Sequence, residues 1–157
     1  MSFNAALLKK NISHYSKAKV LWVAYSGGCD SHALLHSLAS LRSEISSEIK
    51  AIHINHGLSP LANEWEEHCR VICEKLNVPY LAVKVDASAA NKSPEESAPN
   101  ARYAEWKKLI KKDEVILLAH HQDDQAETVL LRLLRGSGVK GLAAMLAQQN
   151  FSLGLLC

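Results

Sequence analysis

At 157 residues, 48% hydrophobic and 22% charged, the chain has the size and composition of one globular domain with its own core. A formal net charge of +2 does not announce a nucleic-acid binder, for which a strongly basic domain or stripe is the sign, and no apolar run approaches the roughly 20 residues of a membrane span. The four cysteines show no paired spacing, so neither a disulfide framework nor a Cys-x-x-Cys site is expected, and Cys69 and Cys73, four apart, read as core packing.

In chain order, Ala5, Leu8, Ile12 and Tyr15 recur at helical spacing, so Ser2 to Tyr15 reads as an amphipathic packing helix rather than a leader, and a cytoplasmic address with no membrane partner is expected. The apolar run Val20 to Tyr25 reads as a strand. It leads into Ser26-Gly27-Gly28-Cys29-Asp30-Ser31, and a helix follows from Asp30 to Leu41. Two adjacent glycines let the backbone turn sharply and present bare N–H groups, while the following helix aims its positive end at the same point; Ser26 and Ser31 add hydroxyls. The string therefore reads as a pyrophosphate cradle. Asp30 would repel phosphates unless a divalent cation such as Mg²⁺ lies between, which makes it the metal candidate. Asp30 also stands where the common phosphate loop has lysine, which disfavours kinase-type or GTPase-type phosphoryl transfer.

A second strand is expected over Ala51 to Asn55, with His53 and His56 at its end; two histidines lacking further partners favour a capping or nucleotide-contacting role over a metal site. Ser59 as cap and Pro60 in the first turn open a helix whose apolar face is Leu61, Trp65, Cys69, Ile72, Cys73 and Leu76. Tyr80 to Val85 is the third expected strand, and Ser93-Pro94-Glu95-Glu96 a capping box. Lys107, Lys108, Lys111 and Lys112 are a solvated face or an RNA contact. Val115 to Ala119 is the fourth strand. After it, His120, Asp124 and Glu127 fall at i, i+4 and i+7 on one helix face, as a cation clamp, a metal site or a solvated acidic first turn. Gly136-Ser-Gly138-Val-Lys-Gly141 matches Gly-x-Gly-x-x-Gly but follows a helix, so its glycines read as a helix stop with Gly136 at the cap. Phe151 to Cys157 resembles a strand beginning, which implies a truncated chain or a free-standing fifth strand.

Strands alternating with helices imply an α/β fold: an open, mostly parallel sheet covered on both faces. Ligands in such sheets collect beyond the carboxyl ends of the strands. The glycine loop, the histidine block, the segment from Asp86 to Arg102 and the block His120 to Glu127 all follow strands, so all four are expected at one edge.

At these residues a resemblance enters. Ser26 to Ser31 resembles the Ser-Gly-Gly-x-Asp-Ser signature of the PP-loop ATP pyrophosphatases, and four further blocks resemble the N-terminal catalytic domain of the tRNA(Ile)-lysidine synthetase family. They are His53-Ile-Asn-His56-Gly57-Leu58; Glu95 to Tyr103; His120-His121-Gln-Asp123-Asp124-Gln-Ala-Glu127-Thr128; and Leu131 to Gly138 continuing to Leu142. The resemblance, over about residues 20 to 145, implies a single ATP-binding catalytic domain over 1–157 without the family's C-terminal tRNA-binding domains. It implies ATP and Mg²⁺ held by Ser26, Gly27, Gly28, Cys29, Asp30 and Ser31 with His53 and His56 beside the nucleotide. It further implies an isoleucine tRNA and free L-lysine as substrates. Asp30, His120, Asp124 and Glu127 would be catalytic, and Arg102, Arg135 and Gly136 would contact substrate. A homodimer is left open. The chain departs from the family at Pro99, where an arginine is usual, and proline removes a forked donor suited to phosphate or RNA. The alternatives are another tRNA-modifying PP-loop enzyme, such as a thiolase, and an ATP-binding module without catalysis.

Overall fold

A computed structural model of the protein describes residues 5–85, 103–119, 149–151 and 154–156. Helix α1 (Ala5–Ile12) runs into a 3₁₀ turn (Ser13–Tyr15), followed by strand β1 (Val20–Ala24) and helix α2 (Cys29–Ser40). After a second 3₁₀ turn (Arg42–Glu44) come β2 (Glu48–Asn55), α3 (Ala62–Lys75) and β3 (Tyr80–Lys84). A helical stretch over 103–109 precedes β4 (Glu114–Leu117), and β5 (Gln149–Phe151) and β6 (Gly154–Leu156) close the chain.

The strands form one sheet in the order β3-β2-β1-β4-β6-β5. Neighbours from β3 to β6 are parallel; β5 runs antiparallel to β6. The expected mostly parallel α/β sheet is thus present. Of the stretch read as a strand beginning, Phe151 ends β5 and residues 154–156 form β6, which pairs with β4. The order reverses at β1, which has β2 on one side and β4 on the other, so the crevice between their carboxyl ends is where such a sheet receives a ligand.

Alternation along the strands builds two cores. Leu21, Val23, Ile49, Ala51, Val115 and Leu117 face one side, under α1, α2 and α3, with Leu35 and Leu38 of α2 fully buried there. Ile52 and Ile116 face the other side, under Trp106 and Ile110. Each fully buried leucine or isoleucine contributes roughly 1.5–3 kcal/mol over an exposed one, so register matters: a one-residue slip of β1 would exchange both faces.

Two expectations are corrected. The second strand begins at Glu48, three residues before Ala51, because Glu48 pairs with Val20 and Ile49 is buried there even though Glu48 is charged and exposed. Helix α3 begins at Ala62 with Leu61 as its N-cap and no side-chain cap. Ser59 instead accepts the Leu61 N–H at 3.2 Å within a preceding turn, so the chain enters the helix gradually. The apolar stripe of α3 also divides. Cys69 and Cys73 are buried completely, whereas Leu61 and Trp65 stay more than half exposed.

Candidate nucleotide-binding site

The loop between β1 and α2 is braced from within. Gly28 N–H donates to Ser26 Oγ at 3.3 Å, the Ser26 and Ser31 hydroxyls are 3.0 Å apart, and Ser31 Oγ donates to the Gly28 carbonyl at 3.0 Å. One proton order satisfies the whole ring, with Ser26 donating to Ser31. The two serines therefore hold the cradle's shape, and the groups left facing a ligand are backbone N–H donors at the start of α2, with Gly28 as N-cap. Gly27 has a φ of +86°, and a Cβ there would meet Cys69 Sγ at 2.9 Å, so glycine is required both by conformation and by space.

Beneath the loop, Tyr25 joins three elements. Its N–H donates to the Ile52 carbonyl at 2.8 Å, continuing the β1–β2 ladder one residue past the strand. Its carbonyl accepts His53 Nδ1 at 2.9 Å, and its hydroxyl shares a 3.1 Å bond with His32 Nδ1 on α2. Burial, with smaller contributions from Cys69 and Cys73, pushes the Tyr25 phenol up to about 12, so it keeps its proton. His53 is buried, with Nδ1 committed to the Tyr25 carbonyl, and only Nε2 is left for a ligand. The cysteines below are sealed: burial pushes Cys69 up to about 11, with Glu66 adding to it, and Cys73 up to about 12.

A cleft of about 290 Å³ opens beyond the carboxyl ends of β1 and β2. Ser26, His53 and His56 line it together, whereas Gly27, Gly28, Cys29, Asp30 and Ser31 are not among its lining residues. Some lining residues escaped the sequence reading. Asn55 gave no signal beyond its place in the histidine block; Trp65 read as part of the apolar face of α3; and Trp106, buried on the second face and edge-on to Tyr103 at 5.3 Å, was not singled out.

Asp30 and Cys29 are exposed in the first turn of α2. Among the described residues no group of three or more His, Cys, Asp or Glu side chains could hold a metal ion. One exposed carboxylate beside a phosphate cradle fits Mg²⁺ that takes its other ligands from phosphate and water, and does not fit an all-protein metal centre. Arg102, His120, Asp124, Glu127, Arg135 and Gly136 lie outside the described residues, as do Pro99 and the capping box at Ser93. The strands β3 and β4 run parallel to β1 and β2, so their carboxyl ends lie at the edge that bears the loop. No helix among the described residues is long and apolar enough to cross a membrane.

Comparison with known proteins agrees with this geometry. The PP-loop domain family matches residues 2–157. The tRNA(Ile)-lysidine synthase of Coxiella burnetii is 44% identical over 155 residues, covering 98% of this chain and 34% of that protein. Its counterpart in Pseudomonas syringae pv. tomato is 42% identical over 152 residues, 96% of this chain and 34% of the relative. That of Legionella pneumophila (strain Paris) is 44% identical over 147 residues, 92% and 33%. The chain thus spans about a third of the length of these curated relatives. Among solved structures, the U34-tRNA thiolase NcsA from Methanococcus maripaludis superposes with a TM-score of 0.66 at 18% identity, over 88% of this chain and 54% of that one, a likeness of fold. With the match running through the glycine loop, the β2 histidines and the parallel sheet beneath them, the chain belongs to the ATP-binding PP-loop domain family.

Proposed function

We propose that this chain carries the nucleotide-activating chemistry of an enzyme that joins lysine to C2 of the wobble cytidine of the AUA-decoding isoleucine tRNA. The observation that carries the reading is the braced, glycine-capped start of α2 at the strand edge where a cleft opens beyond the ends of β1 and β2, in a chain 42–44% identical to proteins named for lysidine synthesis. The C2 oxygen of the cytidine attacks the α-phosphate of ATP, forming an O–P bond as the bond to pyrophosphate breaks. Backbone N–H groups of Cys29, Asp30 and Ser31 at the amino end of α2 stabilise charge on the departing pyrophosphate. The lysine ε-nitrogen then bonds to C2, AMP leaves with the C2 oxygen, and a base among His120, Asp124 and Glu127 takes the amine proton. Mg²⁺ beside Asp30 would neutralise phosphate charge. Arg102, Arg135 and Gly136 serve as substrate contacts, and the domain works in the cytoplasm, as one subunit or two.

A sulfur-transfer reaction would have to run on Cys29 among the described cysteines, because Cys69 and Cys73 are buried and hold their protons well above neutral pH. The test is direct. Incubated with α-labelled ATP, lysine and the isoleucine tRNA, the chain is expected to release AMP only when all three are present, and Asp30→Ala to lower that release at least about 100-fold, a transition-state loss of roughly 3 kcal/mol. AMP release that ignores lysine, or a sulfur-containing product, would overturn the proposal.

A further inference from the structure

We infer that Asn55 is a positioning residue of the cleft: its amide fixes the wall made by the His56–Ser59 loop and the first turns of α3, and thereby sets the affinity for ATP. This rests on the nucleotide reading given above. Asn55 ends β2 and is only 4% exposed. Its Oδ1 accepts the Gly57 N–H at 2.9 Å, and its Nδ2 donates to Glu66 Oε2 at 2.7 Å, with the Ala62 carbonyl and Asn63 Oδ1 each 3.4 Å away. A backbone N–H can only donate and an ionised carboxylate can only accept, so both ends of the amide are assigned by chemistry.

The same side chain therefore ties a strand end, a turn and a helix. Gly57 sits at φ +63° with open space around it, so its turn is held by the bond to Asn55 rather than by packing. The helix side is anchored in turn from β3: Tyr80 Oη donates to the Glu66 carbonyl at 3.1 Å, and Lys84 Nζ to Asn63 Oδ1 at 3.2 Å. His56, Leu58, Ala62 and Trp65, all on the tied segment, line the cleft. A wall built from one loop and one helix start holds its shape only while that joint is closed.

Aspartate is the isostere that reverses half of this pattern. It keeps the acceptor for Gly57 and sets an oxygen against Glu66 Oε2; changing Glu66 to glutamine restores a donor to face it. ATP binding to the whole chain is measured by calorimetry in Mg²⁺, with a thermal melt on each protein. Asn55→Asp is expected to weaken ATP binding about tenfold, and adding Glu66→Gln to recover it to within about threefold, the range expected for two buried acceptors set against each other and then matched by a donor. If Asn55→Asp does not fold, Glu66→Ala supplies the measurement, with ATP binding expected to weaken about threefold or more. Variants that bind ATP as the unaltered chain does, or a double variant no better than Asn55→Asp, would overturn the inference while leaving the nucleotide reading intact. An unaltered chain that folds but binds no ATP would overturn both.

Discussion

Gly27 shows how much of the site depends on a single residue. Its φ of +86° and the 2.9 Å approach of Cys69 Sγ to a hypothetical Cβ are separate penalties, one conformational and one steric. Gly27→Ala is expected to cost about 1–3 kcal/mol of stability, and adding Cys69→Ala to recover only the steric part, leaving about 1 kcal/mol. Urea titrations of the two variants measure the split, and full recovery in the double variant would show that the backbone carries no strain. The glycine pair was legible because its demand is local. The second penalty was not, because nothing in Ser26 to Ser31 says that a cysteine forty residues on lies beneath it.

Among the elements, β1 and β4 are joined by more than their ladder. Trp22 Nε1 donates to Glu114 Oε2 at 3.1 Å, and the Lys111 N–H donates to the same oxygen at 3.0 Å, so one partly buried carboxylate ties the switch-point strands to the turn before β4. Lys50 on β2 lies over the Trp22 ring, 5.6 Å from its centre. Glu114→Ala is expected to lower stability by about 1–2 kcal/mol in a denaturant titration, and Glu114→Gln by less, since an amide oxygen can still accept. The ion pairs of Arg70 with Glu67 and Glu74 on exposed α3 contribute little by contrast, and Arg70→Ala should barely move the midpoint. Element type followed from apolar period at β1, α2 and α3. Element ends did not: Glu48 entered β2 through its pairing with Val20, and Ser59 lost the cap of α3 to a turn.

For the whole molecule, the buried thiols and phenol of the main core predict the pH dependence of stability. Cys69, Cys73 and Tyr25 all have folded pKa values raised by burial, from 9.0 to about 11, from 9.0 to about 12 and from 10.0 to about 12. The unfolded chain therefore loses these protons first as pH rises. Their contribution is complete below pH 9 and is lost through the window from 9 to 12. Stability should fall by about 4–5 kcal/mol between pH 8 and pH 10.5, and Cys69→Ala with Cys73→Ala should flatten most of that slope in urea titrations at the two pH values. An unchanged slope would show that the thiols ionise in the folded state as freely as outside it.

The amino-acid sequence alone determined the class of sheet and the placing of the glycine loop and the histidine block at strand ends, because hydrophobic period and glycine placement act over a few neighbouring residues. Only the tertiary structure decided that the cradle's serines brace one another, that His53 is tied to the Tyr25 carbonyl, and that Asn55 and Trp106 belong to the cleft. Those roles come from groups brought together by crossover connections, and the direction of a hydrogen bond between distant residues exists only once the strands carrying them are in register.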